Sequence, residues 1–183
     1  MKKKLMMMLL SAMMVTGSMS IAHAAEPDED IADEIIEAVD VSDEKLTVYD
    51  GEEIAPRMDS LKRLFTMEYK NLLKNERVTT TLKGSAYSFD PKDIKTKSLH
   101  ITVTPDTNKS TDTCSLKVGV GYPVSGGFTE NNYVTMSSYY GGSSDLAVDE
   151  KHIDYTQRQY GFVRNTSQGS AYGSVQFDAY VDW

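Results

Sequence analysis

Leu99-His100-Ile101-Thr102-Val103, with Cys114-Ser115-Leu116-Lys117-Val118-Gly119-Val120 after it, alternates apolar and polar side chains one residue at a time. Successive side chains of a strand point to opposite faces, so this period of two marks two half-buried strands. Leu99, Ile101 and Val103 turn one way, and His100 and Thr102 the other. By the same rule Cys114 shares the inward face of Leu116, Val118 and Val120. Similar runs follow at Tyr133 to Tyr140, Gln159 to Arg164 and Ala171 to Val181, and Val78 to Tyr87 is Thr-rich. Between the runs lie turn clusters: Asp90-Pro91, Pro105-Asp106, Ser125-Gly126-Gly127, Gly141-Gly142-Ser143-Ser144 and residues 165–170. About six to seven short strands at this spacing predict a mainly β chain, an antiparallel β-sandwich or barrel. The chain lacks the βαβ alternation that a parallel nucleotide-binding sheet requires.

Residues 58–76 fit two periods. Met58, Leu61, Phe65, Leu72 and Leu73 share a helical face, while Leu61, Phe65, Met67 and Tyr69 fit the alternation of a strand. The good helix formers here tip the local preference, so a helix over 58–76 packed on the β-domain is expected. If the segment is a strand instead, Asn75-Glu76 makes the turn that follows it.

Working towards the N-terminus, the composition changes. Lys2, Lys3 and Lys4 precede an apolar, Met-rich run from Leu5 to Ala22, and Ala22-His23-Ala24 has the small-x-small form of a signal-peptidase site. Residues 1–24 are therefore expected to be a bacterial secretory signal peptide, with the mature chain starting at Ala25 and acting as a secreted, extracellular protein. Between Ala25 and Glu53 stand 13 acidic residues against one lysine, a net charge of −12; from Ile54 to Trp183, 14 acidic and 15 basic residues leave +1. The expected organisation is an acidic, disordered leader over 25–53 and a single β-rich domain over 54–183. Ile31, Ile35, Ile36 and Val39 would allow a short amphipathic helix within the leader. A near-neutral body offers no concentrated basic surface, which argues against a nucleic-acid partner. Membrane contact is expected through the signal peptide, and surface contact of 57–77 would follow if that basic stretch is an exposed amphipathic helix freed from an acidic pro-segment. That alternative describes a bacteriocin-like or toxin-like effector made as a precursor.

Several residues suggest chemistry. Thr111-Asp112-Thr113-Cys114 resembles the strand end that carries the nucleophile in sortases, through Thr111, Thr113 and Cys114. The resemblance would imply a cysteine transpeptidase on a β-barrel. The chain departs from that pattern at Asp112, which stands where the family has Leu. His100 lies only 14 residues before Cys114, and the first arginine after it is Arg158. A cysteine enzyme centred on Cys114, with His100 or His152 as base, is thus the third reading. Asp106, Asn108, Ser110 and Asp112 alternate as oxygen ligands do in a calcium loop, with Asp106, Asn108 and Asp112 the candidate ligands, but Thr111 and Lys117 stand where such a loop needs its Gly and its bidentate Glu. The Gly-x-Ser-x-Gly, His-Glu-x-x-His and phosphate-loop signatures are absent. No cofactor and no catalytic set are expected.

Tyrosine remains. Ten lie beyond residue 53, and Tyr133, Tyr139 and Tyr140 cluster beside Gly141-Gly142. Tyr next to flexible Gly/Ser loops is the composition of adaptable recognition surfaces. The leading expectation is a non-enzymatic, secreted binding protein whose partner is an extracellular glycan, a cell-wall component or a protein, with Tyr133, Tyr139 and Tyr140 as ligand-binding residues.

Overall fold

The computed structural model describes residues 38–51, 61–110 and 114–180. They form eleven strands: β1 (Val39–Asp40), β2 (Leu46–Asp50), β3 (Leu61–Leu72), β4 (Glu76–Thr79), β5 (Ser88–Phe89), β6 (Ser98–Pro105), β7 (Ser115–Val124), β8 (Gly127–Ser137), β9 (Gly142–Ala147), β10 (Gln159–Asn165) and β11 (Ala171–Tyr180). Helical structure among the described residues is confined to four single 3₁₀ turns. The strands make two sheets. One runs β1-β4-β10-β7-β8, with β5 also on β10; the other runs β2-β3-β11-β6-β9. All pairs are antiparallel except the two-residue β1–β4 contact. The two sheets pack face to face as a β-sandwich and do not close into a barrel.

Alternation decides which side chains meet in the core. Leu116, Val118 and Val120 of β7 are buried with Val78 and Val163, and Cys114 joins them as expected. From the other sheet come Phe65, Met67, Tyr69, Leu99, Ile101, Val103, Val175 and Phe177. Phe65 and Phe177 are neighbours in register, with ring centroids 4.9 Å apart. Opposite them lies Gly161 of β10. A Cβ at Gly161 would stand 2.7 Å from the Phe65 ring and 3.1 Å from the Met67 sulfur, so the missing side chain is the hollow that the ring fills.

Three sequence expectations are corrected. The helix over 58–76 is not formed: residues 61–72 are β3, and residues 58–60 lie outside the described segments. Its helix formers express a local preference. In the folded chain β3 gains hydrogen-bond ladders to β2 and β11 and buries Phe65, Met67 and Tyr69 together, and tertiary packing overrides propensity. The amphipathic helix that the precursor-effector reading needed is therefore absent over 61–72. The turn after β3 is Lys74-Asn75, with Asn75 at φ 65°, and it carries the chain from one sheet to the other. Within β3 the register steps from Phe65 opposite Phe177 to Arg63 opposite Asp178, leaving Leu64 as a bulge. Arg63 then donates to Asp178 at 3.1 Å and to Gln176 at 2.8 Å on the outer face.

The acidic leader does not stay apart from the domain to residue 53. Leu46-Thr47-Val48-Tyr49-Asp50 is an edge strand on β3, with Leu46 buried and Val48 packed on the core. Carboxylates surrounding these residues hide a short alternating run. Lys45 fastens its start, donating to the Asn71 carbonyl at 2.9 Å and to Glu76 at 2.6 Å. Upstream, Asp40 of β1 grips the buried Arg77 with both carboxylate oxygens, at 2.7 and 2.9 Å, and Glu130 takes a third guanidinium nitrogen at 3.1 Å. The signal peptide, and Ile31, Ile35 and Ile36 of the leader, lie outside the described residues. Finally, β9 begins inside the run Gly141 to Ser144 that reads as a turn.

Gly161→Ala should lower stability by about 1–3 kcal/mol, because the added methyl must displace the Phe65 ring. Urea unfolding of the two proteins checks this, and coincident midpoints would contradict the hollow.

Candidate functional site

The ends of β3, β6, β8 and β10 and the starts of β4, β7, β9 and β11 all lie at one end of the sandwich. There β8 ends in a tight turn. Ser137 Oγ accepts from the backbone N–H groups of Tyr139 and Tyr140, at 3.1 and 3.2 Å, and Gly141 N–H donates to the Ser137 carbonyl. Gly141 has φ 63°, and a Cβ there would stand 2.5 Å from the Val103 carbonyl oxygen and 2.7 Å from Pro105 Cδ. The turn thus sits directly on the end of β6. It displays Tyr140 at 80% exposure beside Tyr139, their rings edge to face with centroids 5.2 Å apart.

Tyr133 is not part of this tip. It lies four residues back along β8, roughly 13 Å at the rise of a strand. Its ring is covered by Lys117, whose Nζ is 4.1 Å from the centroid and donates to the Tyr133 hydroxyl at 2.9 Å. Of the three tyrosines, the structure brings two together and assigns the third to a cation–π contact.

Beyond Pro105 the outer face of β2, β3, β11 and β6 forms a groove of about 460 Å³. Register builds it. Thr47, Glu68, Ser174 and Thr104 are partners across four strands, and Tyr49, Thr66, Gln176, Thr102 and Ser143 across five. Tyr49 lines one wall, half exposed, and its hydroxyl donates to Glu68 at 2.9 Å. That hydrogen bond raises the Tyr49 phenol above its ordinary range. Lys70 Nζ approaches the other Glu68 oxygen at 3.5 Å. Across the groove, the loop after β6 is tied to β11 by Asp106 N–H donating to the Tyr172 carbonyl at 2.9 Å. Tyr172, Asn108 and Lys109 line that side. Lys109 Nζ lies 2.9 Å from the Asp106 carboxylate. Their hydrogen bond holds Asp106 below the usual carboxylate range and Lys109 above the usual lysine range, with Glu68 adding to the latter.

The oxygen-ligand candidates meet a different fate from the one their spacing suggests. Asp106 is already paired with an ammonium, Asn108 lines the groove, and Asp112 lies outside the described residues. No cluster of three potential ligands among His, Cys, Asp and Glu occurs among the described residues. Cys114 is buried, with Sγ 3.3 Å from the Gln168 carbonyl oxygen. His100 is on the outer face of the opposite sheet, 2.9 Å from Asp145, and His152 is 2.6 Å from Asp149. Both histidines therefore have partners away from the thiol.

The sequence reading missed Tyr49, Glu68 and Lys70. Alternation of Thr66, Glu68 and Lys70 opposite Phe65, Met67 and Tyr69 was the available signal, but pairing with β2 and β11 could not be read from it.

Two measurements follow. Because Asp106 is depressed and Lys109 elevated, their ion pair persists from above the lowered carboxylate value to below the raised lysine value. A carbon-detected NMR titration should show the Asp106 carboxyl titrating below the free-aspartate value of about 3.9; a midpoint at or above it would refute the pairing. Iodoacetamide at neutral pH should leave Cys114 unmodified in the folded protein and alkylate it after denaturation, as read by intact mass; rapid labelling of the folded form would refute its burial.

Comparisons with known protein families, with curated proteins and with solved structures find no match.

Proposed function

We propose that this is an exported, extracellular β-sandwich that works by binding, without catalysis, and that its ligand is a glycan, a cell-wall component or a protein held in the groove on the outer face of β2, β3, β11 and β6. The observation that carries the reading is the groove itself: a concavity of about 460 Å³ with tyrosines and acid–base pairs converging on a strand-built floor. Pockets of this size with a few placed polar groups are the usual form of a ligand site. Strands hold such groups more firmly than loops do. A larger hollow of about 720 Å³, lined by Lys92, Lys97, Asp149, Lys151 and Tyr155, stands mostly on loop residues. There Lys97 already donates to the carbonyls of Pro91 and Lys92. The turn that carries the exposed Tyr139 and Tyr140 meets Pro105, a lining residue of the groove, through Gly141.

Non-catalytic action is supported by the geometry around Cys114, whose thiol faces a carbonyl, and by the two histidines being engaged elsewhere. Export is supported by the sequence of residues 1–24, whose basic start, apolar run and Ala22-His23-Ala24 have the form of a signal peptide cleaved ahead of Ala25.

The full chain should be recovered from culture supernatant with an intact mass corresponding to Ala25 as first residue. On glycan arrays and in cell-wall and surface-protein pulldowns it should retain a ligand. Tyr49→Ala should weaken that binding by up to about tenfold, the value of one well-placed aromatic contact, and leave thermal unfolding unchanged. Retention of no ligand on any of these surfaces, or equal retention by Tyr49→Ala, would overturn the reading.

A further inference from the structure

We infer that the groove takes an uncharged, hydroxyl-rich carbohydrate chain; the inference rests on the binding reading above and names its ligand class. The first ground is charge. Glu68 and Asp106 supply two carboxylates and Lys70 and Lys109 two ammonium groups, and each acid lies within 3.5 Å of its base. The groove is neutral before anything enters it. An anionic ligand would have to displace Asp106 from Lys109, and a cationic one would have to displace a lysine from its carboxylate. Either exchange trades one ion pair for another at a desolvation cost.

The second ground is hydrogen-bonding capacity. A carboxylate offers about four acceptor sites and an ammonium three donors, and each of these pairs uses only part of that capacity. Acceptors and donors therefore alternate over a few ångströms. A hydroxyl both donates and accepts, so a run of ligand hydroxyls satisfies both kinds of group without changing the net charge. Thr66, Thr104 and Ser174 continue the same chemistry across the floor.

The third ground is the Tyr49 ring. It is 51% exposed and oriented by its hydrogen bond to Glu68. A flat ring fixed in this way presents an apolar surface to the C–H face of a sugar ring at little entropic cost. A peptide is a poorer fit. A peptide adding as a strand would use the edge of β2 at one wall, whereas the floor strands β3, β11 and β6 are paired on both sides and present side chains rather than free backbone groups. The band Thr66, Gln176, Thr102 and Ser143 runs on across the sheet, with the Thr102 and Ser143 hydroxyls 2.9 Å apart. That continuation suits a chain of sugars better than a single one.

The test is calorimetric titration of the full chain with neutral hexasaccharides (cello-, malto- and manno-oligomers), an anionic oligogalacturonate and a cationic chitosan oligomer, at about 20 mM and about 0.5 M salt. At least one neutral oligomer should bind, with affinity changing by less than about twofold between the two salts, since no net charge is screened. Tyr49→Ala should weaken it by up to about tenfold. Asp106→Asn releases Lys109 and should create salt-sensitive binding of oligogalacturonate that the native groove lacks. Tightest binding of a charged oligomer by the native protein would overturn the inference. So would neutral-sugar binding that Tyr49→Ala leaves untouched, because the site would then lie elsewhere. If a protein ligand is retained and Tyr49→Ala weakens it, the ligand class is wrong and the groove stands. If no variant alters any binding, the groove reading itself falls.

Discussion

The Phe65 ring set over Gly161 is the contact on which the rest of this sandwich depends. There the ring of one sheet lies directly against the backbone of the other, because Gly161 has no side chain to hold it away. A ring locked in that hollow also fixes the phase of β3. Strand side chains alternate, so a slip of one residue would exchange every inward group for an outward one. With Phe65 inward, Met67 and Tyr69 follow it, and Thr66, Glu68 and Lys70 are left on the outer face. The groove therefore inherits its chemistry from a packing decision made on the other side of the sheet.

That coupling explains why the site is polar yet firmly built. Glu68 is held in place by the strand beneath it, and Tyr49 is held by Glu68. The opposing wall is a loop, but one stitched to β11 through Asp106 and Tyr172 and stiffened by the Asp106–Lys109 pair. Exposed ion pairs contribute little stability. Their effect here is on the groove's charge, where two acids and two bases alternate and sum to zero.

Much of the fold was legible in the sequence, and the reasons differ from strand to strand. Leu99 to Val103 and Leu116 to Val120 alternate cleanly because one face of each is buried and the other is wet. β3 was harder. Its polar residues are lysines and glutamate, which favour helix locally, and its strand character comes from neighbours distant in sequence. β2 was masked by the acids around it, and β9 by glycine and serine, which read as turn unless a partner strand is known. The tyrosine tip at 139–140 was visible in composition. The groove was not, since it joins β2, β3, β11 and the loop after β6, which are assembled only by register.

Strand order adds a temporal dimension. β10 and β11, residues 159–180, are internal strands: β10 separates β4 from β7, and β11 separates β3 from β6. Until those residues emerge, a nascent chain holds two half-sheets in each layer with the middle of each layer missing, and Phe65 has neither Gly161 nor Phe177 to meet. Vectorial synthesis therefore delivers most of the polypeptide before any stable core can close. Folding begins as a nearly complete, high-contact-order search rather than as growth from the N-terminal end. The interval before closure is when β3, with its large apolar side chains uncovered, is most open to pairing with the wrong chain.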